Sequence, residues 1–325
     1  MGELVKIFKV LILVFAPLWL IFAPIGVALY VLLMPFGKMK RREASTAKVS
    51  VSIQGNPRGK EIVFVHGWPD SGNLWNLMLP YFKDYRCIVL TSPCCETGNP
   101  YSGSGFNFSQ IALDIISCVE KNRKNQDEKP IWIAHDWGTW HTYNVYKVRP
   151  DLVERMAVLD VAPEADMAPS MSLFRLAYQM FNVLCWYLGD AGTYTMRLAL
   201  WFAGYRGRPI MELQSSMNYN YYWLWKVLLT GSKSEKRAEC PPRLKHFALD
   251  RTPVYFAFGL RKLKMFHSKR WIELLRNHAK TCQVSAFDCD HWIPIHKPVE
   301  VSKEILAWIG RPRAGSPTKS TTRQN

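Results

Sequence analysis

Three short stretches hold residues whose types could do chemistry together, and each follows a run of strand-forming residues. In "IWIAHDWGTW", residues 131–140, the strand-like run ends on Asp136, with the small residues Ala134 and Gly138 two positions to either side. A strand that turns sharply into a helix needs small neighbours, because the turn is tight and the helix packs closely on the strand. Asp136 at the tip of such a turn reads as a nucleophile, although an aspartate there also suits a helix N-cap. "HGWPD", residues 66–70, follows "EIVFV". In this arrangement the loop after an early strand supplies one N–H of an oxyanion hole and the residue after the nucleophile supplies the other. The expected donors are therefore the amides of Trp68 and Trp137, with an ordinary Gly-Pro turn as the plainer alternative. "FDCDHWIP" puts His291 after the last expected strand, where the base of such a constellation belongs.

A carboxylate nucleophile restricts the electrophile. Attack on an ester would give a labile anhydride, whereas attack on an sp³ carbon gives a stable alkyl-enzyme ester. The expected substrate is an epoxide or an alkyl halide, with His291 deprotonating the water that cleaves the Asp136 ester. No cofactor is called for. Opening an epoxide makes an alkoxide, which requires a neutral acid such as tyrosine, with an unperturbed pKa of about 10.

The elements that must position these residues alternate. "KVSVSI", "EIVFVHG", "CIVLTSP", "PIWIAHD", "VERMAVLDVAP", "TPVYFAFG" and "CQVSAFDC" read as strands, with helical patterns in "SQIALDIISCVEKNRK" and "GTWHTYNVYKVRPD". Alternation of this kind gives an α/β fold with a mostly parallel sheet and helices on both faces. Residues 46–163 and 244–311 form the expected core, and the aromatic, helix-patterned residues 164–243 form an expected lid over the strand ends. The polar, basic residues 312–325 read as a disordered tail.

With "HGWPDS", "AHDWG" and "DHW…KPVEV" in this order, Val51 to Arg311 resembles the α/β-hydrolase superfamily, and within it the epoxide hydrolase and haloalkane dehalogenase branch. The resemblance implies the third catalytic member. The loop "FAFGLRKLKMFHS" has no carboxylate, so the acid that orients His291 is implied to be Asp160 in "AVLDVAP", with Glu164, Asp166, Asp288 and Asp290 as other carboxylates nearby. It also implies lid tyrosines as ring-opening acids: Tyr219, Tyr221 and Tyr222 in "MNYNYYWLW", with Tyr178 in an earlier helix. Aromatic packing of a lid helix would account for any one of them as well. A protein that only binds a lipid or a partner on this fold would be expected to lose the nucleophile or the base, and neither is lost.

The first 45 residues stand apart. Val10 to Gly37 has no charged residue and is long enough to cross a hydrocarbon core of roughly 30 Å, which makes it an expected membrane anchor, spanning or re-entrant at Pro17 and Pro24. Lys6 and Lys9 precede the run while Lys38, Lys40, Arg41 and Arg42 follow it, a bias that puts the bulk of the chain in the cytosol, with the endoplasmic reticulum as the expected membrane. The net charge of +16 is spread along the chain rather than gathered in one recognition element, so a membrane surface is the expected partner and nucleic acid is not. The 8 cysteines contain no C-x-x-C and no His/Cys cluster at metal spacing, which excludes a disulfide framework and a metal site. Beside an anchor, an electrophile of this kind is expected to be small and lipophilic. The oligomeric state is left open.

Overall fold

The computed structural model describes residues 49–96, 106–166, 169–262 and 265–311. The apolar run from Val10 to Gly37 and the basic tail lie outside the described residues. Among the described residues no helix is long and apolar enough to cross a membrane.

Seven strands build one sheet: β1 (Ser50–Gly55), β2 (Glu61–Val65), β3 (Arg86–Thr91), β4 (Ile131–His135), β5 (Arg155–Leu159), β6 (Val254–Gly259) and β7 (Gln283–Phe287), in the order β1-β3-β2-β4-β5-β6-β7. β1 runs antiparallel to β3 and every other pairing is parallel. β2, β4 and β5 are buried along their whole lengths, which is why they read as continuous apolar runs rather than alternating ones. The chain leaves β2 for β3 on one side and returns to β4 on the other. That reversal opens the sheet at the carboxyl ends of β2 and β4, the place where open α/β sheets bind ligands.

Helices α1 (Phe108–Asn122) and α2 (Trp137–Val148) flank β4 in sequence. The chain then forms α3 (Pro169–Leu188), α4 (Asp190–Phe202), α5 (Tyr219–Thr230) and α6 (Lys233–Glu239) before β6, and α7 (Lys269–Asn277) and α8 (Pro298–Ile309) follow it. The described residues fall into two units, one holding the sheet and the other holding 106–107 and 169–232. The expected boundary at residue 243 thus moves back to 232. The reason is local: Lys147 of α2 donates to the carbonyls of Ala238 and Cys240, and Asn144 donates to Glu239, which ties α6 to the sheet unit.

Beneath the sheet, Phe64, Trp75, Phe82, Ile131, Ile133, Leu159, Tyr255, Ile305 and Trp308 form a continuous buried core. Burial of such side chains is worth about 1.5–3 kcal/mol each and holds the strand ends above them in register. The pairs His135↔Leu159 and Leu159↔Ala257 place the residues that follow β4, β5 and β6 side by side.

Candidate active site

Asp136 sits between β4 and α2 with φ 52°, in the left-handed region that non-glycine residues rarely occupy and that costs of order 1–3 kcal/mol. Its carbonyl accepts from the Thr139 amide at 2.9 Å and from the Thr139 hydroxyl at 2.7 Å, which pins the turn. No side-chain capping bond is made, so the N-cap alternative is not realised. The small residues around it are steric requirements. A Cβ on Gly138 would lie 2.2 Å from the Val65 carbonyl oxygen, and one on Gly67 would lie 2.4 Å from the Asp136 Cβ.

The two carboxylate oxygens of Asp136 face different groups. Oδ2 accepts from the Trp68 amide at 2.9 Å, and the Trp137 amide also donates to this carboxylate. Oδ1 lies 3.5 Å from His291 Nε2. The Trp68 loop is itself fixed: His66 accepts the Ser92 amide at Nε2, 2.9 Å, leaving Nδ1–H to donate to the Gly67 carbonyl at 2.7 Å. Asp70 of the same loop accepts the Trp292 indole N–H at 3.2 Å, which links "HGWPD" to the residue after His291.

Asp160 follows β5, fully buried, with φ 74°. Its Oδ2 accepts from His291 Nδ1 at 2.5 Å. Its Oδ1 accepts from the Gly259 amide at 3.0 Å and from the Lys262 ammonium. The structure therefore brings Asp136, His291 and Asp160 into one chain of contacts and sets the amides of Trp68 and Trp137 against the first of them. The other carboxylates are engaged elsewhere: Glu164 with Ser268, Asp166 with the Lys269 amide, Asp288 with Arg261, and Asp290 with His296.

The charges follow from these contacts. Burial pulls the His291 imidazole down, but the Asp160 charge and the hydrogen bonds to both aspartates hold it well above its ordinary value. Burial pushes Asp160 up, and the charges of His291 and Lys262 outweigh that and bring it to about 2. Asp136 is likewise held below the usual carboxylate range, its burial outweighed by His291, His135 and the Trp137 amide. The resting pair is thus carboxylate and imidazolium.

Two residues here were not legible as site residues. Lys262 lies in the loop that lacks a carboxylate, and only its spacing of three from Gly259 signals a place next to the acid. His135 reads as the end of a strand, yet its Nε2 lies 2.9 Å from the His291 carbonyl and its ring 4.6 Å from that of His291. Burial and the neighbouring His291 hold His135 down at about 4, so it is a neutral Nε2–H donor that fixes the base.

The tyrosines expected in a lid belong to the helical unit. Tyr219 and Tyr221 are buried on α5, Tyr222 stacks on Trp186 at 4.1 Å, and the Tyr178 and Tyr221 rings meet edge to face at 5.9 Å.

Comparison with known proteins agrees with the architecture. A family model described as "Alpha/beta hydrolase family" matches residues 62–304. Epoxide hydrolase A of Mycobacterium tuberculosis is 22% identical over 148 residues, covering 44% of this chain and 45% of that protein. Among solved structures, a haloalkane dehalogenase loop variant from Bradyrhizobium elkanii superposes with a TM-score of 0.58 at 16% identity, covering 83% of this chain and 95% of its own. Epoxide Hydrolase A from Mycobacterium thermoresistibile does so with a TM-score of 0.58 at 16% identity, covering 82% and 96%. Matched across three quarters of its length by that family model, and carrying its strand order and its strand-turn-helix elbow, this chain belongs to the α/β-hydrolase family.

Proposed function

We propose that the chain is a hydrolase that opens an epoxide to a diol through an ester on Asp136. The observation that carries this reading is the division of labour between the two Asp136 oxygens. Oδ2 accepts from the Trp68 amide while Oδ1 faces His291 Nε2 at 3.5 Å, so Oδ1 is the oxygen proposed to attack a ring carbon. As the new C–O bond forms, the ring C–O bond breaks, and its electron pair leaves on oxygen and takes a proton from an acid.

With the Asp136 charge gone, His291 gives up its resting proton, which restores the ring-opening acid, and water then completes the cycle. His291 Nε2 accepts a water proton while the oxygen adds to Asp136 Cγ, and the oxyanion develops on Oδ2, toward the Trp68 amide, with the Trp137 amide as the second proposed donor. Each such donor is worth roughly 3 kcal/mol of barrier. Collapse expels the diol oxygen, which takes the proton back from Nε2, and the carboxylic acid left on Asp136 passes its proton to His291 to restore the resting pair. Asp160 holds Nδ1–H and keeps the ring in the tautomer that this step requires.

The ring-opening acid is proposed to be one of the tyrosines Tyr178, Tyr219, Tyr221 and Tyr222 of the helical unit, of which Tyr178 and Tyr221 meet edge to face from two different helices. Tyr222 is held flat against Trp186 and raised by burial. A lipophilic substrate taken from a membrane is part of the same proposal, with the anchor in the endoplasmic reticulum and the sheet unit in the cytosol. It is supported by the uncharged run Val10 to Gly37 and by α4, whose Tyr194, Leu198 and Trp201 are 69%, 56% and 62% exposed along one face. Retention of the full chain in carbonate-washed membranes checks that part.

The chemistry is tested by turnover of a lipophilic epoxide in ¹⁸O-labelled water, with Asp136→Asn as the control. Label in the Asp136 carboxylate after multiple turnovers, absent from the control, is the expected result. Diol formation without label there would sink the ester route, and turnover of haloalkanes but not of epoxides would replace the substrate class.

A further inference from the structure

Lys262 is a buried cation for which the reaction above has no use. Its side chain is 5% exposed, its ammonium donates to Asp160 Oδ1, and it stands 5.2 Å from the centre of the Phe266 ring, which itself packs 5.6 Å from the His291 ring. Burying an ammonium costs several kcal/mol unless a charge compensates it, so a lysine at this depth is bound to the carboxylate it meets. That carboxylate is the one that orients the base.

We propose that Lys262 is a positioning residue acting through Asp160: it cancels the charge of that carboxylate so that His291 can release its proton once Asp136 has been esterified. The proposal rests on the ester route above. In the resting site two carboxylates, Asp136 and Asp160, face one lysine and one imidazolium, and the charges balance. Esterification removes the Asp136 charge. With Lys262 present, Asp160 and Lys262 then balance each other, and a neutral His291 leaves the site neutral. Without Lys262, Asp160 alone faces His291 and retains it as imidazolium, which has no lone pair on Nε2 to take a proton from water.

Of the other titratable groups around these four, Asp166 accepts from the Lys269 amide, Asp290 meets His296, Lys297 meets Glu300, and His141 near Asp136 is held down at about 3 by burial. His135, against the His291 ring, is held at about 4. His267, beside Lys262, is brought down to about 4 by burial and by the lysine. The Cys289 thiol is pushed up to about 11 by burial and nearby carboxylates. All three are uncharged near pH 7, so the balance among Asp136, Asp160, Lys262 and His291 decides the state of the base.

Asp136→Asn mimics the uncharged ester without any substrate, so the test does not depend on turnover. The His291 imidazole is titrated by NMR in Asp136→Asn and in Asp136→Asn combined with Lys262→Met, Lys262→Gln or Lys262→Arg, the signal being assigned by its loss in His291→Gln. Met and Gln are expected to raise the His291 pKa by about one unit or more, the effect of deleting a nearby cation, and Arg to leave it near the parent value. The Gln variant keeps a hydrogen-bond donor to Asp160 and stands in if Met fails to fold. A His291 pKa unchanged by loss of the lysine charge, or lowered by it, would overturn the proposal. Failure of the ester route would appear separately, as missing label on Asp136 in the wild type with this titration intact.

Discussion

The turns that follow β4 and β5 resemble each other closely and differ in one respect. Each ends a fully buried parallel strand, each places an aspartate in the left-handed backbone region, and each aspartate is held below the ordinary carboxylate range. At Asp160 both oxygens are taken, by His291 Nδ1 on one side and by the Gly259 amide and Lys262 on the other, and the side chain has no exposure. At Asp136 the Trp68 amide meets Oδ2, the Trp137 amide donates to the same carboxylate, His291 Nε2 stands 3.5 Å from Oδ1, and the side chain is 15% exposed. Two carboxylates made alike by the sheet are separated by the kind of donor around them and by exposure: Asp160 is closed in against a buried lysine, and Asp136, the proposed nucleophile, is the one left partly open.

Substitution of the two by asparagine should break that likeness. Asp136→Asn removes the proposed attacking oxygen anion, and turnover is expected to fall by about 10⁴ or more, read as product formed per enzyme. Stability should change little, since the amide can still accept from Trp68. Asp160→Asn should cost activity of similar order, about 10⁴, because Nδ1 of His291 loses the acceptor that fixes its tautomer. It should also cost stability, about 3–5 kcal/mol by urea unfolding, because Lys262 is left buried without a counter-charge. Equal stability of the two variants would show that the donors around Asp160 do not distinguish it.

Gly67→Ala probes the Asp136 carboxylate from the other side. The added methyl would lie 2.4 Å from the Asp136 Cβ and 2.6 Å from its Oδ2, so the carboxylate must move off the amides. A misplacement near 1 Å costs about 10²-fold in rate, and the loss should fall on kcat more than on KM. Smaller again is Lys262→Met, for which the two half-reactions should separate. Ester formation persists and its hydrolysis slows by about tenfold at pH 7, one unit of His291 pKa, so the alkylated protein accumulates and is seen as a mass adduct on the Asp136 peptide.

The three strand-end motifs were legible because their signals are local: a strand run, a small residue at fixed spacing, and a chemical group at the tip. Sheet and strand composition followed from the same continuous apolar runs. What was not legible depends on approach through space. Lys262 meets Asp160 across 102 positions of sequence, and a basic loop gives no sign that one of its lysines is buried. His135 becomes a support for His291 only because β4 ends beside the loop after β7. The end of the helical unit at 232 rather than 243 also depends on approach through space: in "KSEKRAE" the Ala238 carbonyl accepts from Lys147 and the Glu239 carbonyl from Asn144, both on the sheet unit.

The smallest expected effect concerns acid. Asp160 is brought from an ordinary value of 3.8 to about 2 in the folded chain, with burial opposing the shift and His291 and Lys262 outweighing it. A depressed carboxylate contributes stability that is fully present above its unfolded pKa and is lost as pH falls through the folded one. Asp160 should therefore contribute about 2 kcal/mol at neutral pH, fading between about pH 4 and pH 2. His291 works in the opposite direction: raised in the fold, its contribution is complete below its unfolded pKa and is lost only as pH climbs toward its folded value, so it adds no slope in the acid window. Urea midpoints measured from pH 5 to pH 2 should thus fall less steeply in Asp160→Asn than in the parent, and Lys262→Met should lie between them. If all three fall in parallel, the low-pH slope belongs to other carboxylates, and the donors around Asp160 serve geometry alone.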